Sequence, residues 1–271
     1  MPRPTRFAVS DIPQCVVQAG INWARTFNYR DDYQVYLESL RHAAAQYECE
    51  LHAYALLPNR VQLLVTPHSE QSVPQMMQSL GRRYVQYFNR RYERSGTLWQ
   101  GRYKSCLVEP GEHLLNCYQY VDTLASITGV VTNPIDYPWS SLRQHTGVAN
   151  HFVQDHSSWM ALGQEPAERF DRYQRLTATP LPKEMIKGIN LKADPMRYML
   201  YTTNPDTPGY IGALGTKLGD LGINIATFAL GRAEKSGEAI ALLGVDEAVA
   251  ADALGEMPNP PQIRQAKALA F

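Results

Sequence analysis

The sequence predicts an α+β protein of two domains, and three observations carry that expectation. A hydrophobic hairpin pattern lies between two long helical patterns in the first half. A short, proline-containing stretch then interrupts the chain around residue 180. Beyond it the order reads strand–helix–strand–strand–helix–strand. At 271 residues the chain is long enough for two domains, each with its own core.

In the first half, Asp31–Tyr47 reads as a helix, because Val35, Tyr36, Leu40, Ala43, Ala44 and Tyr47 fall on one half of a 3.6-residue wheel. Glu50–Leu57 and Val61–Thr66 read as a β-hairpin joined by Pro58-Asn59. Val73–Tyr92 is a second long helix, Cys106–Glu109 a short strand and Gly111–Ile127 a third helix. Thr177–Lys183, with Pro180 and Pro182, suits an interdomain linker. In the second half, Tyr198–Thr203, Ile223–Leu230, Glu238–Val245 and Ile263–Leu269 read as strands. Pro208–Leu221 and Ala248–Glu256 read as helices, which gives the split ferredoxin-like βαββαβ order.

Composition narrows the function classes. Apolar residues make up 44% and charged residues 19% of the chain, a balance that argues against long disorder. Met1–Gln14 contains Pro2, Pro4 and Asp11 without a continuous apolar run, so no signal peptide is expected. No stretch approaches the roughly 18–20 apolar residues of a membrane span, and the expectation is a soluble, cytoplasmic protein. Cys15, Cys49, Cys106 and Cys117 include no CxxC pair, so buried, reduced thiols are expected and no zinc site. Net charge is zero, yet Arg82, Arg83, Arg90, Arg91, Arg94, Arg102 and Lys104 are opposed only by Glu93. That stretch carries a net +6, and it is the local field that a phosphate backbone meets.

Several motif-dense blocks appear in order. The first is His52-Ala53-Tyr54-Ala55-Leu56-Leu57-Pro58-Asn59-Arg60-Val61-Gln62-Leu63-Leu64-Val65-Thr66-Pro67. Arg90-Arg91-Tyr92 follows, with Ser95-Gly96-Thr97-Leu98-Trp99-Gln100-Gly101-Arg102-Tyr103-Lys104-Ser105 and then Asp136-Tyr137-Pro138-Trp139-Ser140-Ser141. Over residues 1–176 the chain resembles the REP-associated tyrosine transposases of the HUH family. The resemblance implies a ferredoxin-like domain in which two histidines at i and i+2 on a strand hold one divalent cation. It also implies a tyrosine on a facing helix that attacks the phosphate polarised by that cation. In this chain the histidine positions are Arg60 and Gln62. Arginine does not deprotonate and repels a cation, and glutamine is a weak oxygen ligand. The tyrosine position is Tyr120, within Tyr118-Gln119-Tyr120-Val121-Asp122-Thr123-Leu124-Ala125. The polar group that follows it by four residues in the family is Leu124 here. The expectation is therefore a vestigial nucleophile and no metal. His52 and His68 sit at offsets that make no ligand pair, and they read as surface or hydrogen-bonded histidines.

The basic segment is what remains for binding. Arg83 and Arg90 are seven residues apart and nearly superpose on a helix, with Arg82 and Arg91 on the flanks. Tyr84, Tyr87, Phe88, Tyr92, Trp99 and Tyr103 are interleaved with them. Arginines fork onto phosphates, and aromatics stack on unpaired bases or pack internally. Arg82, Arg83, Arg90, Arg91, Arg94, Arg102 and Lys104 are the candidate nucleic-acid contacts, and the resemblance implies a DNA or RNA hairpin as partner.

The second half has its own motif runs: Ile186–Leu191, Met199–Asn204, Thr207–Gly215, Gly222–Phe228 and Gly237–Leu242. Residues 184–271 resemble the ACT domain of D-3-phosphoglycerate dehydrogenases, whose catalytic and nucleotide-binding parts have no counterpart here. No GxGxxG turn follows a strand. Pro208-Gly209 opens a helix whose free N–H groups suit a carboxylate. Asn204, Asp206 and Asn224 are expected on loops at one end of the sheet, where with Gly209 they would hold a small amino acid such as serine. Pairing of two chains is the other role of such a module.

Together these readings give a transposase-derived, non-catalytic hairpin-binding domain at 1–176, a linker at 177–183 and an amino-acid-sensing or dimerising ACT domain at 184–271. No cofactor is expected beyond an amino-acid ligand, and the expected assembly is a homodimer. Two alternatives stay open at this level. One is an active single-strand transposase or nuclease using Tyr120, and the other a regulator of serine-pathway enzymes acting through the ACT domain.

Overall fold

The structure, a computed structural model, describes residues 9–108, 110–148, 152–182, 198–205, 208–232, 238–250, 263 and 265–270. The chain divides into two compact units, one running from Ala8 to Leu181 and the other from Pro182 onward.

The first unit is built on a four-stranded antiparallel sheet of order β2-β3-β1-β4. Its strands are β1 (Gln14–Ala19), β2 (Cys49–Leu57), β3 (Arg60–Pro67) and β4 (Lys104–Leu107). Helix α1 (Arg30–Gln46) connects β1 to β2, and α2 (Ser72–Arg91) connects β3 to β4, which is the ferredoxin-like order. Side chains alternate across the sheet. Val16, Tyr54, Leu56, Val61, Leu63 and Val65 point to one face, where Tyr36, Leu40, Met76, Leu80, Tyr84 and Phe88 from α1 and α2 complete the core. The opposite face carries Cys15, Val17, Arg60, Gln62, Leu64 and Ala55, in register across the strands. It is met by α3 (Glu112–Asp122).

The β2 edge of the sheet is covered. Beyond β2 the chain returns so that Leu56 N–H donates to Trp139 O at 2.9 Å and Ser141 N–H donates to Tyr54 O at 2.9 Å. Tyr137 Oη donates to Leu56 O, so the Asp136–Ser141 motif covers the outer side of β2. Trp139 also stacks on Tyr33 with ring centroids 4.6 Å apart.

Several boundaries differ from expectation. The third helix is interrupted at Thr123, whose hydroxyl donates to Gln119 O at 2.7 Å, and a short α4 (Leu124–Ile127) follows. This back-bonding competes with continuation of the helix. Strand β4 begins two residues earlier than expected and ends at Leu107, and Glu109 lies outside the described residues. Thr177 and Ala178, expected in the linker, are helical and belong to α7 (Pro166–Ala178). Two further short helices, α5 (Leu142–His145) and α6 (Ser157–Met160), precede α7.

The second unit repeats the topology. Strands β5 (Tyr198–Pro205), β6 (Ile225–Arg232), β7 (Glu238–Val245) and β8 (Gln265–Ala270) form an antiparallel sheet of order β6-β7-β5-β8. Helix α8 (Tyr210–Asp220) buries Tyr210, Leu214 and Leu218 against Leu200, Ala241 and Leu243. Gly209 adopts φ +95° as the residue before α8, a conformation that glycine enters without strain. Ala248–Ala250 are not helical, and the remainder of the helix expected at 248–256 lies outside the described residues.

Candidate nucleic-acid interface

The expected metal position lies on the sheet face beneath α3. Arg60 and Gln62 share that face at i and i+2 of β3, as strand geometry requires. The residues present do not fit a divalent cation. Gln62 is buried and its amide donates to Cys15 Sγ at 2.8 Å, so it turns a donor, not an oxygen, inward. Among the described residues no group of three or more His, Cys, Asp or Glu side chains is placed to hold a metal. Cys15 and Cys106 are directly opposed across β1 and β4, and Cys117 comes from α3. All four cysteines are free and buried. A hydrogen bond from Cys106 holds the Cys15 thiol below its ordinary value, with help from Gln62, against the opposing effect of burial. Cys106 is raised well above its ordinary value, first by its bond to Cys15 and then by burial.

Tyr120 is half-buried on α3, whereas Tyr118 two residues earlier is fully buried and accepts from His156 N–H at 3.1 Å. Burial raises the Tyr120 phenol, and the charge of Arg60 only partly opposes it. The hydroxyl is thus a protonated hydrogen-bond donor at neutral pH, unlike an activated nucleophile. His52 is hydrogen-bonded rather than at the surface. Its ring spans Gln154 O and Thr66 Oγ1, both at 2.7 Å, and burial lowers it to about 4, so it stays neutral. His68 is exposed beside Asp11 and Glu50.

The basic segment does not fold into one patch. Arg82 and Arg83 line an open groove of about 530 Å³ with Tyr47, Gln75, Gln78, Ser79 and Gln86. Neither side chain makes an ion pair or hydrogen bond among the described residues. Arg90 is exposed in the last turn of α2, where a cation also suits the helix dipole. Arg91 is engaged in the fold: it donates to Asp31 Oδ2 at 3.1 Å and to Tyr87 Oη at 2.8 Å. Arg94 donates to Thr97 O at 3.0 Å and lies over the Phe88 ring. Arg102 is exposed, and Lys104 projects from the α3-facing side of β4, opposite to the side on which α2 packs. The interleaved aromatics are structural. Tyr84, Phe88, Trp99 and Tyr103 are buried, while Tyr87 and Tyr92 donate to Asp32 at 3.0 and 2.7 Å. Burial works against the Asp32 carboxylate, but these bonds and two backbone N–H groups hold it below the usual range.

A buried hub was not anticipated from sequence. Asp122, at the end of α3, accepts from Ser141 Oγ at 2.5 Å, His145 Nδ1 at 2.6 Å and Tyr173 Oη at 2.7 Å. All four residues are fully buried. The serine and histidine side chains share the carboxylate and do not bond each other, so the group is a tie between α3, α5 and α7 and not a nucleophile–base pair.

In the second unit Asn204 and Asn224 lie at opposite ends of the sheet, which corrects their expected grouping at one end. Asn204 on β5 is level with Ala239, whereas Ile225, which follows Asn224, is level with Val245 and through it with Tyr198. Six residues of strand separate the two levels, roughly 20 Å. The reason is the α8 crossover, which returns the chain to the start of the sheet before β6 begins. Asn204 is buried, donates to Pro205 O at 3.0 Å and keeps a buried carbonyl oxygen without a partner. Asn224 is exposed and donates to Asp246 at 2.7 Å. Asp206 lies outside the described residues.

Residues 17–123 match the family model of the IS200-like transposases, so the first domain is transposase-like. Among solved structures, the chain is similar to a REP-associated tyrosine transposase bound to a REP hairpin. The identity is 15%, the TM-score 0.43, and the match covers 58% of this chain and 96% of that one. It is also similar to a putative transposase from Deinococcus radiodurans, at 19% identity and TM-score 0.32 over 44% of this chain and 93% of the other. Elsewhere it is 42% identical over 82 residues to D-3-phosphoglycerate dehydrogenase of Bacillus subtilis, covering 30% of this chain and 16% of that enzyme. The enzyme of Methanocaldococcus jannaschii is 33% identical over 79 residues, covering 29% of this chain and 15% of that enzyme. The chain thus spans under a fifth of the length of these dehydrogenases, and the matches support an ACT-like second domain. No described helix is long and apolar enough to cross a membrane.

Proposed function

We propose that the first domain binds a nucleic-acid hairpin, DNA or RNA, without cutting it. The groove on α2 carries this reading, because Arg82 and Arg83 stand there uncommitted beside the amides of Gln75, Gln78 and Gln86. Fixed cations meet phosphates, and amides hydrogen-bond sugars, phosphates or base edges. The transposase-like match supplies the class of ligand. Arg60 and Gln62 in the ligand positions, with a protonated Tyr120, favour binding over cleavage. A labelled hairpin incubated with magnesium or manganese is expected to stay intact and to form no covalent protein adduct. An adduct that disappears in Tyr120→Phe would overturn this reading in favour of an active tyrosine nuclease.

The ACT-like domain is proposed to bind a small amino acid such as serine, to pair two chains, or both. Because Asn204 and Asn224 sit at opposite ends of one sheet, a ligand touching both needs two copies of the domain. Millimolar serine or a near relative is therefore expected to raise the melting temperature in wild type and less so in Asn224→Ala. No shift with any common amino acid would leave pairing alone.

A further inference from the structure

The α3-facing side of the sheet contains cations where a metal would be expected. The register sets Lys104 opposite Val17, Val17 opposite Gln62, and Ala19 opposite Arg60, so all five side chains share that face. Arg60 on β3 and Lys104 on β4 are separated by one strand and stand two residues out of step, which places their backbones roughly 12 Å apart. Between them the face offers only Val17 and Ala19, small and half-buried, so the gap is floored but not filled. Neither cation has an ion pair among the described residues. Above them is α3. The Tyr120 phenol lies within the field of Arg60, and Asn116, one turn earlier, keeps a buried amide N–H without an acceptor. Two positive charges share this half-open face with the Tyr120 hydroxyl beside Arg60, and among the described residues no carboxylate forms an ion pair with either cation.

We propose that Arg60, Lys104 and the Tyr120 hydroxyl form a metal-independent phosphate site, in which side-chain cations replace a divalent ion and take a phosphodiester of the bound nucleic acid. The site rests on the nucleic-acid reading above but uses the opposite face of the sheet from the α2 groove. Arginine suits it physically, since its guanidinium is permanently charged and forks onto two phosphate oxygens. No bond is made or broken.

The test compares wild type, Arg60→Gln/Lys104→Gln, Arg60→Lys and Arg82→Ala/Arg83→Ala for binding a hairpin with a single-stranded flank, with and without EDTA. Chelation is expected to change nothing. The Gln double variant is expected to bind about tenfold more weakly at moderate salt, with a log–log salt slope flatter by about 1–2 units. Arg60→Lys, which keeps the charge, should fall between. In a separate arm, millimolar inorganic phosphate is expected to shift the Arg60 Nε–H resonance in wild type and not in Lys104→Gln. Unchanged affinity and slope in the Gln double variant, with loss in Arg82→Ala/Arg83→Ala, would overturn the site and leave hairpin binding standing. Loss of binding on chelation would overturn its metal independence. Failure of wild type to bind any hairpin overturns the reading beneath it, while a persisting phosphate shift would still support the anion site.

Discussion

Asp122→Ala is expected to lower the stability of the first domain by about 3–5 kcal/mol, because it strands buried donors that have no water to turn to. The carboxylate accepts hydrogen bonds from Ser141, His145 and Tyr173, and each of those side chains is fully buried. All three come from the α5 and α7 region, so the loss should also loosen residues 141–173 relative to α3. Tyr173→Phe removes one donor along with its need for a partner and should cost much less, about 1 kcal/mol. Urea denaturation reads both numbers, and amide exchange reads the loosening. A loss under about 1 kcal/mol for Asp122→Ala would mean that the hub contributes little and that packing of Trp159 and Tyr173 holds the segment alone.

Arg82→Ala/Arg83→Ala is expected to have the largest effect on ligand binding of any surface pair. With Arg82, Arg83, Arg90 and Lys104 as exposed cations, about four phosphate contacts would give wild type a log–log salt slope of roughly −3 to −4. Removing two should flatten it by about 2 units and weaken all hairpin sequences alike, since phosphates carry no sequence information. Arg143→Ala/Arg175→Ala removes the same charge from exposed positions outside the groove and should leave the slope nearly unchanged. Equal behaviour of the two pairs would reduce the α2 arginines to a solvated helix face and remove the main support for the groove as a binding surface.

The contrast between the basic segment and its fold shows where local pattern is informative. Helices α1 and α2 and the β2–β3 hairpin were legible because their apolar positions repeat at helical or strand spacing within a single short window. Strand β1 was not. It has six residues, carries Gln14 and Gln18, and owes its central place to β3 and β4, which pair with it from about 40 and 90 residues away. Seven cations adjacent in sequence also say nothing about which have acids waiting for them. Asp31 and Asp32 lie some 60 residues before Arg91, and only the packing of α1 against α2 brings them together.

By itself the sequence determined the α+β class, the two ferredoxin-like halves, the replacement of metal-ligand positions by Arg60 and Gln62, and the tyrosine candidate at Tyr120. These follow from residue identity and short-range periodicity, which a single strand or helix already expresses. Only the tertiary structure decided that the basic cluster divides between two faces of a sheet, that Asn204 and Asn224 stand at opposite ends of another, and that Asp122 is a buried tie. Each of those depends on strand register or on a crossover connection. Register is set by contacts between distant segments, and a shift of one residue would carry Lys104 and Arg60 to the other side of the sheet.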